Sequence, residues 1–441
     1  MKIAIIGGGL AGLTAAAYLS QNPETEGTVF ERSPQLGGRA FTYEKSGFTL
    51  NFGAHAVYGF DRHTLQMMEQ ELQLRFESKQ VDKRKVVYAK NGVLTPAPLD
   101  FVNIMKTDVL TVKEKLRFVA EVAAVIGNVH HLKNYATLGE YLDQAHSSED
   151  VKELWEHLVC SNFFITPEDA RQVSGEVIAE YYHNLFLSNR PVNYIIGSWS
   201  TITNQLADKI RNNRRWDIAV KEAVEAIDYV NGQFRLKTKT RVELIFDQVI
   251  MAMPIQQAGK LLDSTPWADK LAAYNADSCT EVLVYDVGFN HVVARPFHYI
   301  SDMDHKVFIS DVSATDHTVA PAGGQLLQGI AYLNDTFEDE EHKKRYLDER
   351  LQQMEALFDT HYPGWREQAE VKRVSKKAMV SSIKNIHSNQ LLPVQLPGTP
   401  LFFCGDGCEG KGELAERSFS SGRAAAQQIL AERLQLHAVA Q

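Results

Sequence analysis

The tightest constraint in this chain is the spacing Gly7-x-Gly9-x-x-Gly12, set between an apolar run of strand length at 2–6 (KIAII) and an alanine- and leucine-rich stretch at 10–19. Glycine at these three places suits a strand that turns sharply into a helix. Gly7 makes the turn, Gly9 lets the backbone approach a pyrophosphate, and Gly12 lets the helix pack closely on the strand. The helix N-terminus, opening at Leu10 and Ala11, would turn its N–H groups toward the phosphates. Val29-Phe30 reads as a second parallel strand. It ends in Glu31, followed by Arg32, at the separation where an acid accepts hydrogen bonds from a ribose. The chain is therefore expected to hold a dinucleotide on an N-terminal α/β unit.

Further sheet pieces lie far downstream. A helix at 201–210 precedes a strand at 217–220, and a hairpin turns at Asn231-Gly232 between 224–229 and 234–238. Residues 246–254 (FDQVIMAMP) read as one buried parallel strand, and 401–404 as the last strand, entering Gly405-Asp406 before a final helix at 413–434. The stretch 61–191 reads as mostly helical, with apolar residues at helical spacing over 112–129 and 147–159. Segments 281–289, 297–301, 307–312 and 325–333 read as antiparallel strands, followed by a charged helix at 338–357. The assembly expected from this order is α/β. A discontinuous Rossmann-like domain (1–60, 192–262 and 390–441) is interrupted by an α+β substrate domain (61–191 and 263–389) with a mixed or antiparallel sheet and a helical insertion.

The glycine fingerprint alone does not separate NAD from FAD. Leu36-Gly37-Gly38-Arg39 and Asn51-Phe52-Gly53-Ala54-His55 follow the acid, and Gly405-Asp406 precedes 415–425 (AERSFSSGRAA). Together with Val224-x-x-Ile227 and 246–250, these motifs resemble the amine oxidase, protoporphyrinogen oxidase and phytoene desaturase superfamily of FAD enzymes over the whole chain. The stretches 191–199, 319–324 and 405–412 look most like phytoene-dehydrogenase-like members. Ser198 stands where that pattern has a second glycine, Asn51 where it often has an acid, and Arg417-Ser418 where it has glycine-alanine.

The resemblance implies cofactor contacts at Gly7, Gly9, Leu10, Ala11, Gly12, Glu31, Arg32, Gly38, Arg39, Gly53, Ala54, His55, Val224, Gly405, Asp406, Ala415, Glu416 and Arg417. Glu31 would hold the adenosine ribose, Arg39 would lie over flavin and pyrophosphate, and Val224 would meet adenine through its backbone. Asp406 would bind the ribityl chain or a phosphate. The backbone at 415–417, at a helix N-terminus, would face the flavin pyrimidine. His55 is the candidate for facing substrate. The implied reaction is hydride transfer from a bulky apolar substrate, polyene- or porphyrin-like, to flavin N5. A flavin amine oxidase is the alternative, and a non-catalytic lipid- or protein-binding relative is the rival of another class. Arg39 and Gly405-Asp406 favour flavin over that rival.

Other residues set limits. With 46 Lys plus Arg against 55 Asp plus Glu, the net charge of −9 gives no attraction to nucleic acid. Four cysteines in 441 residues form no disulfide framework, so a reducing, cytoplasmic compartment is expected, and none lies between Cys279 and Cys404, where the resemblance to monoamine oxidases would place a covalent flavin link, so FAD is expected to be non-covalent. No apolar stretch is long enough to span a membrane. The 112–129 helix is the secondary candidate for peripheral membrane contact. Cys404-x-x-x-Cys408 reads as core rather than a redox pair, Lys384 with His387 as solvated rather than facing the flavin, and no metal site is expected from His130-His131. Phe163-Phe164, Tyr181-Tyr182 and Phe186, with Leu116, Val119, Val122, Val125 and Ile126, are expected to wall an apolar pocket.

Overall fold

The computed structural model describes the chain except Ala54, His146, Val242 and residues 272–273, 275–279, 382–390 and 440–441; the side chains of 381 and 434–439 are also not described. Strands Trp216–Val220, Glu26–Glu31, Lys2–Ile6, Gln248–Met251 and Leu401–Phe403 pair in that order into a wholly parallel sheet. Because both faces of this sheet are covered, its central strands are apolar throughout instead of alternating. Ile3, Ile5, Val29, Ile250 and Phe402 share one core with the Leu10–Leu19 and Ser198–Arg211 helices. Ala4, Ile6, Phe30, Val249 and Phe403 face the other way, onto Ile227, Phe234 and the Ile255–Leu262 helix.

The predicted single strand at 246–254 is two. Leu244–Phe246 completes an antiparallel three-stranded unit with Val224–Val230 and Gln233–Thr238, while Gln248–Met251 enters the parallel sheet. Asp247 marks the break: its backbone N–H donates to Lys2 O at 2.8 Å, and its carboxylate accepts from Lys2 N–H at 2.8 Å. One residue thus closes the ladder while the chain changes sheets.

A second, seven-stranded sheet runs Val371–Ser381, Thr280–Phe289, Gln325–Tyr332, Val307–Asp311, Tyr299–Asp302, Val86–Lys90 and Val93–Pro96. It is antiparallel except where Val86–Lys90 lies parallel to Tyr299–Asp302. The stretch 61–191 is therefore not simply a helical insertion, because it supplies the two strands that extend this sheet. Alternation is hard to read there, since Val86, Val87, Tyr88 and Ala89 are buried on both faces. Leu65, Met68, Leu72 and Leu74 also lie past residue 60, yet they pack in the core beside the parallel sheet. A small sheet with Val192–Ile195 between Ala56–Tyr58 and Ser78–Gln80 bridges the two regions.

The helical layer is pinned to the large sheet by His157. Its ring is fully buried edge-on to Tyr88 at 4.7 Å, with Nε2 3.0 Å from Ser301 Oγ. Burial pushes its pKa from 6.5 down to about 3, with nearby Lys306 adding to the effect. The folded chain keeps this ring neutral, whereas the unfolded chain protonates it below pH 6.5, so the stability it allows at neutral pH is lost as pH falls. Between pH 7 and pH 5 this group is expected to remove about 2 kcal/mol. Urea unfolding at the two pH values should show the loss in wild type and a smaller one in His157→Gln. Equal losses in both would show that His157 is not the group responsible.

Candidate functional site

A cavity of about 1350 Å³ opens along the C-terminal edge of the parallel sheet and continues under the helical layer. Ligands of doubly wound sheets bind at that strand edge, where chain turns leave backbone groups free. The volume exceeds the roughly 300–1,000 Å³ of a typical single small-molecule pocket. Its two ends differ in chemistry.

Glycine, charge and free backbone form the first end. Gly7 takes φ +119°, and a Cβ there would lie 2.2 Å from Ala252 O, so the turn admits no side chain. Gly9 opens the Leu10–Leu19 helix and has no side chain to cap the first-turn N–H groups. Gly9, Leu10 and Ala11 line the cavity together with Gly38, whose loop meets the fingerprint at the Gly9–Gly37 bridge. Gly12 packs against the strand turn as its spacing implied, but unlike the other fingerprint glycines it does not line the cavity, so its expected cofactor contact is not seen. Glu31 is buried; its Oε2 accepts from Gly8 N–H at 2.7 Å and its Oε1 from Ser33 N–H at 2.7 Å. The carboxylate is thereby aimed along the cavity wall, beside exposed Arg32 and Val224.

The closing motif meets the opening one here. Arg39 donates through both terminal nitrogens to Asp406, with Nη1 to Oδ2 at 2.6 Å, across 367 positions of sequence. Both residues line the cavity. Gly405 has φ +146°, and Ser421 Oγ lies 3.0 Å from its N–H, tying the strand end to the last helix. Ala415 and Ser418 face the cavity. Glu416 and Arg417 do not. The Glu416 carboxylate accepts from Thr64 N–H at 2.7 Å and Thr64 Oγ1 at 2.6 Å, and lies 2.9 Å from His63 Nδ1. Burial alone would raise its pKa, but His63 and Thr64 outweigh burial and hold it below the usual carboxylate range. Arg417 turns to Gly412 O and to Glu413, whose carboxyl burial pushes up to about 7. At these two positions the backbone alone remains available for the expected contact with the flavin pyrimidine.

The other end is aromatic. Phe164, Tyr182, Phe186, Val119, Val122 and Ile126 line it as expected. Phe163, Tyr181 and Val125 are instead core residues, and Leu116 points outward at 62% exposure. Val125 and Leu116 lie off the cavity stripe because a helix turns 100° per residue. Tyr58, Tyr88 and Tyr299 join the wall without any signal in the sequence, because each comes from a strand whose pairing is set by distant residues. Gly53 and His55 also line the cavity; Ala54 lies outside the described residues.

The remaining sequence candidates resolve as follows. Cys404 and Cys408 are free and buried, and burial pushes both thiols up, so neither is poised as a thiolate. His131 packs edge-on to Tyr135 and Tyr141, and no metal-binding group of three or more His, Cys, Asp or Glu occurs among the described residues. No described helix is long and apolar enough to cross a membrane. Cys279, Lys384 and His387 lie outside the described residues.

Uncapped helix N–H groups, a glycine cradle and a clamp of Arg39 with Asp406 fit a dinucleotide pyrophosphate. The remaining space fits a flat ring system and a second ligand. Residues 10–430 match the profile of the family described as flavin containing amine oxidoreductase. Over 127 residues the chain is 30% identical to coproporphyrinogen III oxidase of Staphylococcus aureus, covering 26% of this chain and 27% of that protein. Over 57 residues it is 43% identical to a 4,4'-diapophytoene desaturase of Staphylococcus haemolyticus, covering 13% of this chain and 11% of that one. The chain thus matches about a quarter or less of the length of these curated relatives. An oxidoreductase from Methanosarcina mazei shares the fold, with a TM-score of 0.75 at 18% identity over 97% of this chain and 100% of that one.

Proposed function

The chain belongs to the flavin-containing amine oxidoreductase family, and from that premise we propose that it holds FAD non-covalently and oxidises a bulky, largely apolar substrate, polyene- or tetrapyrrole-like. The observation that carries this reading is the continuity of one cavity from the glycine cradle to an aromatic chamber. Bound flavin would supply the two-electron oxidising power. The protein's part is to bind, orient and exclude water.

Glu31 would take the ribose hydroxyls, the N–H groups at Leu10 and Ala11 the phosphates, and Arg39 with Asp406 the link between phosphate and ring. The aromatic chamber would hold a flat unsaturated substrate by apolar burial and stacking. Tyr58, Tyr88, Tyr182 and Tyr299 present hydroxyls that burial keeps protonated, since it pushes each pKa up. None offers an anionic partner for a desolvated ammonium, which disfavours a short amine. Leu99 and Phe101 are 43% and 64% exposed and also line the cavity, so its apolar surface continues outward. This supports delivery of substrate from an apolar phase, including a membrane surface.

Purified protein is expected to be yellow and to release all its flavin on acid precipitation. Flavin left on the precipitated chain would contradict non-covalent binding. Anaerobic bleaching should follow addition of a reduced tetrapyrrole or a polyene; bleaching by small polyamines alone would favour the amine-oxidase alternative.

A further inference from the structure

One polar row crosses the apolar seven-stranded sheet. Arg373, Asp286, Gln328, Ser310 and Tyr299 are successive cross-strand partners on five neighbouring strands. Residues directly opposite in a ladder share a face. Asp286 and Ser310 are fully buried and Gln328 is 1% exposed, so each needs its hydrogen bonds met within the protein. The face they share meets the segment carrying Asn51, Phe52 and His55. Arg373 lies over the Phe52 ring at 4.1 Å, and Ser310 Oγ is 3.0 Å from Tyr194 Oη.

The bonds within this row fix the side chain of Gln328. Arg373 Nε donates to Asp286 Oδ2 at 2.8 Å. Gln328 Nε2 donates to Asp286 Oδ1 at 2.8 Å and to Asn51 O at 3.3 Å. Both amide hydrogens are thereby used, and only the amide oxygen is left. Gln328 Oε1 and His55 Nδ1 are both buried without a hydrogen-bond partner among the described residues. Gln328 is nonetheless close enough for weak side-chain hydrogen bonding to His55, which draws its pKa upward against the larger effect of burial, leaving it at about 4. An amide oxygen can only accept, so a neutral imidazole answers it with its proton on Nδ1. The ring is edge-on to Tyr194 at 4.6 Å and is held in that orientation, on the cavity wall.

We propose that Gln328, locked by Asp286 and Arg373, is a positioning residue that holds His55 as the Nδ1–H tautomer, so that Nε2 offers an acceptor to an N–H donor of the ligand in the cavity. The idea rests on the proposed function only in the identity of that ligand. The donor is a ring N–H, carried either by the flavin or by a tetrapyrrole-like substrate. Where the substrate carries the donor, the site favours a tetrapyrrole over a pure hydrocarbon of equal size, which would leave the acceptor buried unmet; where the flavin carries it, a polyene is equally admitted.

The test is nitrogen NMR on the full chain labelled with 15N-histidine, with His55→Gln used to assign the signal. At pH 7, apo wild type is expected to show His55 with a protonated Nδ1 and a bare Nε2. Gln328→Met, which keeps the volume and removes the acceptor, should shift His55 toward the other tautomer while circular dichroism is unchanged. An Nε2–H tautomer or an imidazolium in wild type overturns the proposal without any variant, as does an unchanged spectrum in folded Gln328→Met. FAD and then coproporphyrin are added next, and the addition that moves the Nε2 signal upfield names the donor. If neither moves it, the acceptor role is wrong. A chain that fails to bind FAD but shows the locked tautomer would refute the proposed function and leave the positioning inference standing.

Discussion

Gly12→Ala is expected to abolish flavin binding and to destabilise the fold by about 3 kcal/mol or more. The added methyl carbon would lie 2.0 Å from Gly7 O and 3.0 Å from Ala252 Cβ. The first obstacle is backbone at the turn itself, so relief requires the Leu10–Leu19 helix to move off the sheet. That helix cannot move freely, because Gly422 of the last helix crosses it so closely that a Cβ there would lie 2.4 Å from Ala11 O. Gly9→Ala is the informative companion. Its methyl would meet nothing nearer than Gly38 Cα at 3.8 Å, in the space where a phosphate is expected. That variant should keep wild-type stability and still lose flavin. Thermal melts together with the ratio of flavin to protein absorbance separate the two effects. An unchanged melt for Gly12→Ala, or full flavin content in Gly9→Ala, would contradict the assignment.

Asp406→Ala should leave the protein largely apo at modest FAD concentration. Asp406 is the partner of Arg39 and stands on a left-handed glycine turn at a strand end, so its position is set by backbone on one side and by a two-pronged ion pair on the other. Losing a charge-assisted hydrogen bond to the cofactor costs about 1.5–3 kcal/mol, which is roughly a 10- to 150-fold rise in Kd. Removing the carboxylate also takes from Arg39 its two-pronged partner. Asp406→Asn keeps the shape and some hydrogen bonding, and should fall between wild type and alanine. Fluorescence titration of apo-protein with FAD measures all three. Equal affinities would mean that the clamp does not touch the cofactor.

Much of the dinucleotide half was legible because its signals are local. The positive φ of Gly7 and the approach of its carbonyl to Gly12 are demands made within a dozen residues, and the order strand, turn, helix surrounds them in the sequence. The pairing of Arg39 with Asp406 is different. Each motif could be recognised separately, but nothing local says that side chains 367 positions apart meet face to face. Glu416 and Arg417 show the converse. The motif implied a role for their backbone and said nothing of their side chains, which the fold turns to Thr64, His63 and Glu413.

The substrate half was legible as apolar and aromatic, not as a shape. Val119, Val122 and Ile126 fall on the cavity stripe, while Leu116 of the same helix faces outward, a division made by whatever packs on each side. The strand Val86–Lys90 escaped notice because a strand buried on both faces has no alternation to read, and Val93–Pro96 because four residues with Val93 exposed carry no strand pattern.

By itself the sequence determined that the chain begins as a glycine-turned α/β unit, closes with a matching motif, and carries a net charge of −9. These are consequences of covalent geometry, periodicity and composition, which neighbouring residues express without help. Tertiary structure alone decided that Arg373, Asp286, Gln328 and Ser310 stand in one polar row behind His55. Sheet register brings together residues from four separate strands, and register is fixed by the sum of cross-strand contacts rather than by any one segment.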